Sequence, residues 1–247
     1  MAEKKIRSKS AEIAHSRKIA EHGESIWGWS TAAGRRRAER RAALLVELSA
    51  LTSQQRVLEL GCGTGIFTDK LAGCGAYLTA VDISAELLSW AQRRLNGVKN
   101  ATLVLADGES LPFHDEMFDA VVGSSILHHL PLKSSLTEIR RILRPGGKLA
   151  FAEPNMMNPQ ILIQKNVPVV KRWLGDSPDE SAFIRWRLKR KLLSVGFENI
   201  VIKPYDFLHP LTPGLAVPLV DQMGRLAEKI PILRQIAGSL IIGASRR

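Results

Sequence analysis

Two cysteines, Cys62 and Cys74, are all that this 247-residue chain contains. That is too few for a disulfide framework or a cysteine-built zinc site. No metal centre is expected, and a reducing, cytoplasmic setting fits. Long apolar runs are missing too. None approaches the roughly 20 residues of a membrane-spanning helix. The best candidates, near 211–220 and 230–244, are broken by Pro213, Gly214, Pro218, Pro231 and Gly238. The first residues, MAEKKIRSKSAEIAHSRK, are basic where a secretory signal would carry an apolar core. Aromatic residues reach only 6%, which speaks against the base-stacking surfaces of RNA readers.

Acidic side chains are also short: 24 against 35 Lys and Arg, a net charge of +11. Such an excess suits an acidic partner, whether an anionic membrane surface, nucleic acid or a phosphorylated substrate. It gathers in three groups. Lys4, Lys5, Arg7, Lys9, Arg17 and Lys18 form the first, and Arg35, Arg36, Arg37, Arg40 and Arg41 the second. Lys171, Arg172, Arg185, Arg187, Lys189, Arg190 and Lys191 form the third. Each group reads equally well as a solvated helix face.

What is present is a sizeable apolar fraction, 45%, enough for one α/β domain with decorations. Apolar residues on one face predict a helix over 35–51. From Arg56 onward, strands and helices alternate. Strands are predicted at 56–60, 77–81, 101–106, 120–124 and 148–153, with helices at 66–72, 85–95 and 136–143. Such alternation implies a parallel sheet covered on both faces, with ligands at the carboxyl ends of the strands. After that the pattern loosens. A basic helix is predicted over 180–195, then strands at 199–203 and 239–244, separated by a proline-punctuated excursion over 204–238.

The densest signal is VLELGCGTG at 57–65. A buried strand carrying Glu59 runs into Gly61, Gly63 and Gly65, and a helix follows. Glycines permit a tight strand-to-helix turn and let a ligand approach bare backbone. Asp82 closes the next predicted strand and Asp107 the one after. An NAD-binding fingerprint would read GxGxxG, whereas here the glycines read GxGxG and position 66 is isoleucine.

Four segments, VLELGCGTG (57–65), TAVDIS (79–84), LADGESLPFHDEMFDAVVGSSILHHL (105–130) and RILRPGGKLAFAEP (141–154), together resemble the class I S-adenosylmethionine-dependent methyltransferases. The resemblance is to their type 11 group, the relatives of ubiquinone/menaquinone methyltransferases. It implies a Rossmann-like, seven-stranded, mostly parallel sheet with helices on both faces and an antiparallel last strand. It also implies a methyltransferase domain over 52–247. Residues 1–51 become a helical lid extension, and 155–179 and 204–238 become insertions on the substrate side. The family joins its last two strands closely, whereas here 35 residues intervene.

The resemblance implies S-adenosylmethionine as cofactor and assigns its ligands. Glu59 meets the amino group, and Gly61, Cys62 and Gly63 meet the methionine and ribose portions. Asp82 accepts from the ribose hydroxyls, Ile83 packs on the adenine, and Asp107 and Gly108 meet its edge. Ser124 lies near the transferring methyl. Asp82 can alternatively cap a helix, and Asp107 can hold a turn. His128 and His129 follow the fourth strand where an acceptor would arrive; either can serve as a general base or be structural.

Trp27 and Trp29 can form a lid or pack the N-terminal helix. Apolar walls with a basic rim suit a small or lipidic acceptor, anionic or lipid-linked, and peripheral contact with an anionic membrane. Residues 215–238 partly resemble an interfacial amphipathic helix. The rival readings are an RNA methyltransferase and a non-catalytic cofactor-binding partner subunit. Oligomeric state stays open.

Overall fold

The computed structural model describes residues 28–167, 169–170 and 181–247. The first basic group, Trp27, Lys171 and Arg172 lie outside the described residues, as does most of the 1–51 extension.

Seven strands form one sheet: β1 (Arg56–Leu60), β2 (Tyr77–Asp82), β3 (Ala101–Leu105), β4 (Phe118–Ser124), β5 (Leu143–Pro154), β6 (Phe197–Tyr205) and β7 (Ser239–Arg246). Their spatial order is β3-β2-β1-β4-β5-β7-β6. The first five pair in parallel, and β7 runs antiparallel between β5 and β6. This is the sheet implied by the resemblance. Strand order reverses between β1 and β4, which opens a crevice at their carboxyl ends.

The helices are α1 (Ala32–Ser49), α2 (Ile66–Ala72), α3 (Ala85–Arg94), α4 (Leu132–Ile142), α5 (Pro159–Asn166), α6 (Arg185–Val195), α7 (Val217–Ala227) and α8 (Pro231–Arg234). Helix α1 starts earlier than periodicity predicts because the Thr31 side chain caps it, accepting from the Gly34 N–H at 2.9 Å. Its buried stripe, Ala38, Ala42 and Leu45, meets Ala120, Ala150 and Ala152 of the sheet. Small residues on both sides bring helix and sheet close together. The opposite face buries Phe118, Phe151 and Phe197 with Leu136 and Ile139.

Two expectations shift. Strand β5 begins at Leu143, which pairs with Phe118 ahead of an irregularity that contains Gly146 and Gly147. The basic helix begins at Arg185 because Phe183 is held extended, exchanging backbone hydrogen bonds with Pro154 and Met156. Residues 127–129 form a turn of 3₁₀ helix after β4.

The excursion over 204–238 folds back onto α1. Arg36 pairs with Asp221 at 3.0 Å, Arg37 with Asp206 at 2.8 Å, and Arg40 grips Glu228 through both terminal nitrogens. The second basic group is therefore largely neutralised within the fold.

Candidate functional site

The glycine turn is fastened to β2, the Gly61 and Cys62 N–H groups both donating to the Val81 carbonyl at 2.9 and 3.0 Å. Gly61 has φ +69° and Gly63 φ +54°. A Cβ at Gly61 would stand 2.5 Å from the Ile126 side chain, so both conformation and space require glycine there.

Asp82 ends β2 with its carboxylate facing this turn. One oxygen accepts from the Gly63 N–H at 2.8 Å and the other from the Ser84 N–H at 2.9 Å. The cap of α3 is Ser84, which accepts from the Leu87 N–H, so Asp82 is not the capping residue. Asp107 accepts from the Glu109 N–H at 2.9 Å, the turn-holding geometry weighed from sequence.

A cleft of about 560 Å³ opens at the carboxyl ends of β1, β2 and β3. Of the residues singled out in the sequence it gathers Gly61, Asp82, Ile83, Asp107, Gly108 and His129, and Leu60, Ile126 and Leu130 supply an apolar wall. Leu105, the last residue of β3, is 60% exposed, and the next residue, Ala106, lines the cleft.

Glu59 lies beneath the turn, 2% exposed, with Oε2 lacking a hydrogen-bond partner. Burial pushes its carboxyl up to about 7; Thr68 pulls the other way and Asp82 adds to the rise. Cys62 is buried beside it, and desolvation with the two carboxylates holds its thiol protonated.

The two histidines part company. His128 is 5% exposed, and its Nδ1 lies 2.6 Å from Glu153 Oε2. Glu153 also accepts from the Ile126 and Leu127 N–H groups at 3.0 and 2.8 Å. This buried carboxylate at the end of β5 therefore clamps the turn that follows β4, while His129 faces the cleft.

Ser124 ends β4 away from that lining, where its hydroxyl accepts from Arg41 Nη1 at 3.0 Å. Trp29 packs edge-on against Phe67 and lies over the Arg37 and Arg41 guanidinium groups. Sequence reasoning passed over Glu153 and counted Arg41 only among the residues of the second basic group. Each had a signal: a lone acid within the apolar strand KLAFAEP, and an arginine four residues before Leu45 on the buried stripe of α1.

The family profile described as a methyltransferase domain matches residues 58–151. The chain is 32% identical over 169 residues to a demethylmenaquinone methyltransferase of Corynebacterium urealyticum, covering 61% of this chain and 70% of that one. Further demethylmenaquinone methyltransferases match at 31–39% identity over 41–57% of their own length. The chain thus spans about half the length of most of these curated relatives. Among solved structures, a possible histamine N-methyltransferase of Thermotoga maritima superposes with a TM-score of 0.66 at 18% identity, covering 93% of this chain and 98% of that one. The [4+2]-cyclase SpnF gives 0.62 at 22%, covering 84% and 81%. These two likenesses show a shared fold, which hosts more than one reaction.

The chain belongs to the class I S-adenosylmethionine-dependent methyltransferases. Within that class its curated relatives carry the name of a quinone-methylating enzyme.

Proposed function

We propose that the protein transfers a methyl group from S-adenosylmethionine to a small lipidic acceptor of the prenylated-quinol type, working against an anionic membrane surface. Two features of the site fit the cofactor: the orphaned, buried Oε2 of Glu59 and the bare, left-handed backbone at Gly61 and Gly63. In this reading Glu59 meets the cationic amino group, and the 61–63 backbone lies along the methionine and ribose portions. Asp82 accepts from the ribose hydroxyls, and Ile83, Asp107 and Gly108 frame the adenine. When bound, S-adenosylmethionine supplies an electrophilic methyl on a positively charged sulfur, so that proximity and alignment carry much of the rate. Ser124 and His129 stand toward the acceptor, while His128 positions the turn through Glu153. In the same reading residues 52–247 form the methyltransferase domain, 1–51 a helical lid extension, and 155–179 and 204–238 the substrate-side insertions.

The observation that carries the lipidic reading is the outward face of the excursion. Leu215, Leu219, Met223, Leu226 and Ile230 are 49–101% exposed. Leu219, Met223 and Leu226 recur at helical spacing on α7, opposite buried Val217, Asp221 and Gly224, and Ile230 follows just past its end. Arg225 and Lys229 are exposed beside them. An apolar face with a basic rim fits an interfacial element. Among the described residues no helix is long and apolar enough to cross a membrane.

The test supplies methyl-labelled S-adenosylmethionine and a chemically reduced, prenylated naphthoquinone in vesicles containing anionic lipid, with Asp82→Ala as the blank. Label enters the organic phase only with the wild-type protein. A Leu219→Glu/Met223→Glu variant loses vesicle co-sedimentation and long-chain turnover but keeps turnover of a short, water-soluble acceptor. Label appearing only in RNA from a cell extract would overturn the reading. Cofactor binding with no label in any fraction would favour the non-catalytic alternative.

A further inference from the structure

Arg41 is a buried cation whose positive charge no acid answers. It is 3% exposed, on the inner stripe of α1. Its neighbours Arg36, Arg37 and Arg40 each hold a carboxylate. Among the described residues none lies within ion-pair distance of Arg41. Nη1 donates to the Ser124 and Ser125 hydroxyls, both at 3.0 Å, and Nη2 donates to the Ser239 hydroxyl at 3.1 Å. Nε is buried and has no partner.

The side chains that hydrogen-bond this guanidinium are all hydroxyls, each with a proton of its own to give. Arginine can only donate, so the three serine oxygens accept and their own O–H groups are left to donate. No hydrogen bond among the described residues uses those O–H groups. Tyr205, 3% exposed, closes the same region with a buried, unpartnered hydroxyl. Desolvation pushes its phenol up against the pull of Arg41 and Arg37, and Asp206, itself paired with Arg37, adds to the rise, so it too stays protonated. An unpaired buried charge is among the costliest features a fold can carry. The Trp29 ring, 5.1 Å away, offsets only part of it.

The location is equally telling. Ser124 ends β4 and Ser125 follows it, and the next residue, Ile126, lines the cofactor cleft. Ser125 is held at φ +56°, a conformation that serine adopts rarely and that gathers at functional sites. The two serines that hold the guanidinium are thus the immediate chain neighbours of a cleft residue.

We propose that Arg41, with Ser124, Ser125, Ser239 and Tyr205, forms an oxyanion-binding site that holds the acceptor by an ionised ring oxygen of the phenolate type. One fixed positive charge and several neutral donors match a monoanion, and Trp29 and Ile126 give a planar ring apolar faces to lie against. The acceptor binds with its hydroxyl proton already passed to solvent, and no bond of the protein is made or broken. That the occupant is the methyl acceptor rests on the methyl-transfer reading; that the site binds a phenolate does not.

The probe is 4-nitrophenol, whose phenolate absorbs in the visible. It is titrated into the full chain in the presence of S-adenosylhomocysteine. Wild-type protein raises the phenolate band at fixed pH. Arg41→Met weakens phenolate binding at least tenfold while holding S-adenosylhomocysteine within twofold of wild type. Tyr205→Phe and Ser239→Ala each weaken the phenolate two- to fivefold, and these two decide the matter if Arg41→Met does not fold. Unchanged phenolate affinity in these variants overturns the proposal, as does wild-type protein that leaves the band unmoved. A wild-type protein that binds the phenolate yet methylates no quinol defeats the methyl-transfer reading and leaves the anion site standing.

Discussion

Replacing Glu59 by glutamine should make the ligand-free protein more stable above neutral pH. The carboxyl is buried without a partner for Oε2 and titrates near 7 in place of its ordinary 4.5. The folded state therefore binds a proton that the unfolded state has released between those two values. Where the unfolded chain binds fewer protons, stability falls as pH rises. The loss begins near pH 4.5, is complete just above pH 7, and amounts to about 3 kcal/mol, at about 1.4 kcal/mol per tenfold change in proton affinity. Glutamine keeps the shape and drops the charge. The Glu59→Gln protein should then match wild type near pH 4.5 and melt roughly 6–12 °C higher at pH 8, since 1 kcal/mol moves a domain of this size by about 2–4 °C. Thermal melts across pH 4.5–8 test this. The same glutamine should weaken S-adenosylhomocysteine binding, because the buried charge is what the amino group is proposed to meet. Calorimetry in buffers of different ionisation enthalpy should show roughly half a proton released on binding at pH 7 for wild type and none for the variant. Parallel stability curves for the two proteins, or a variant less stable at pH 8, would refute this account of Glu59.

Other outcomes follow from the same geometry. Asp82→Ala should lose at least a hundredfold in cofactor affinity and about 1.5–3 kcal/mol in stability, because the Gly63 and Ser84 N–H groups lose a charged acceptor; titration calorimetry and melts read the two separately. Gly61→Ala should destabilise by more than about 1 kcal/mol, a left-handed backbone and a 2.5 Å clash with Ile126 acting together. Glu153→Ala should lower stability by about 3–5 kcal/mol, since it strips a buried carboxylate from His128 and two backbone donors. His129→Ala should leave stability within about 0.5 kcal/mol and report only in turnover.

The cleft was readable in the sequence because its signals are local. The glycine turn, Asp82 and Asp107 each sit at the end of a strand announced by its own apolar run, and the parallel pairing follows from alternation. The surroundings of α1 and of the turn after β4 were not. Arg36, Arg37 and Arg40 looked like a free basic patch because their acids lie 169–188 residues away in the chain. His128 and His129 looked equivalent because the partner that separates them, Glu153, is 25 residues on. Charge clusters and paired histidines carry no periodicity, so only the folded chain sorts them. The start of β5 was missed for another reason: Pro145-Gly146-Gly147 reads as a loop and here forms an interruption inside a strand.

The placement of β7 bears on the order in which the molecule can assemble. It is the last strand in sequence, yet it lies inside the sheet, giving β5 and β6 their hydrogen-bonding partner along nearly its whole length. Until it arrives, β5 presents an apolar open edge at Ala150–Ala152, and β6 has nothing to pair with. During synthesis that edge waits through the making of about 85 further residues. Such an exposed strand edge is a site for misassociation. The Arg41–Ser239 hydrogen bond spans 198 residues, so the proposed acceptor pocket is among the last parts to form. Slow, temperature-sensitive production of soluble protein, relieved at low expression rate, is the behaviour this topology predicts.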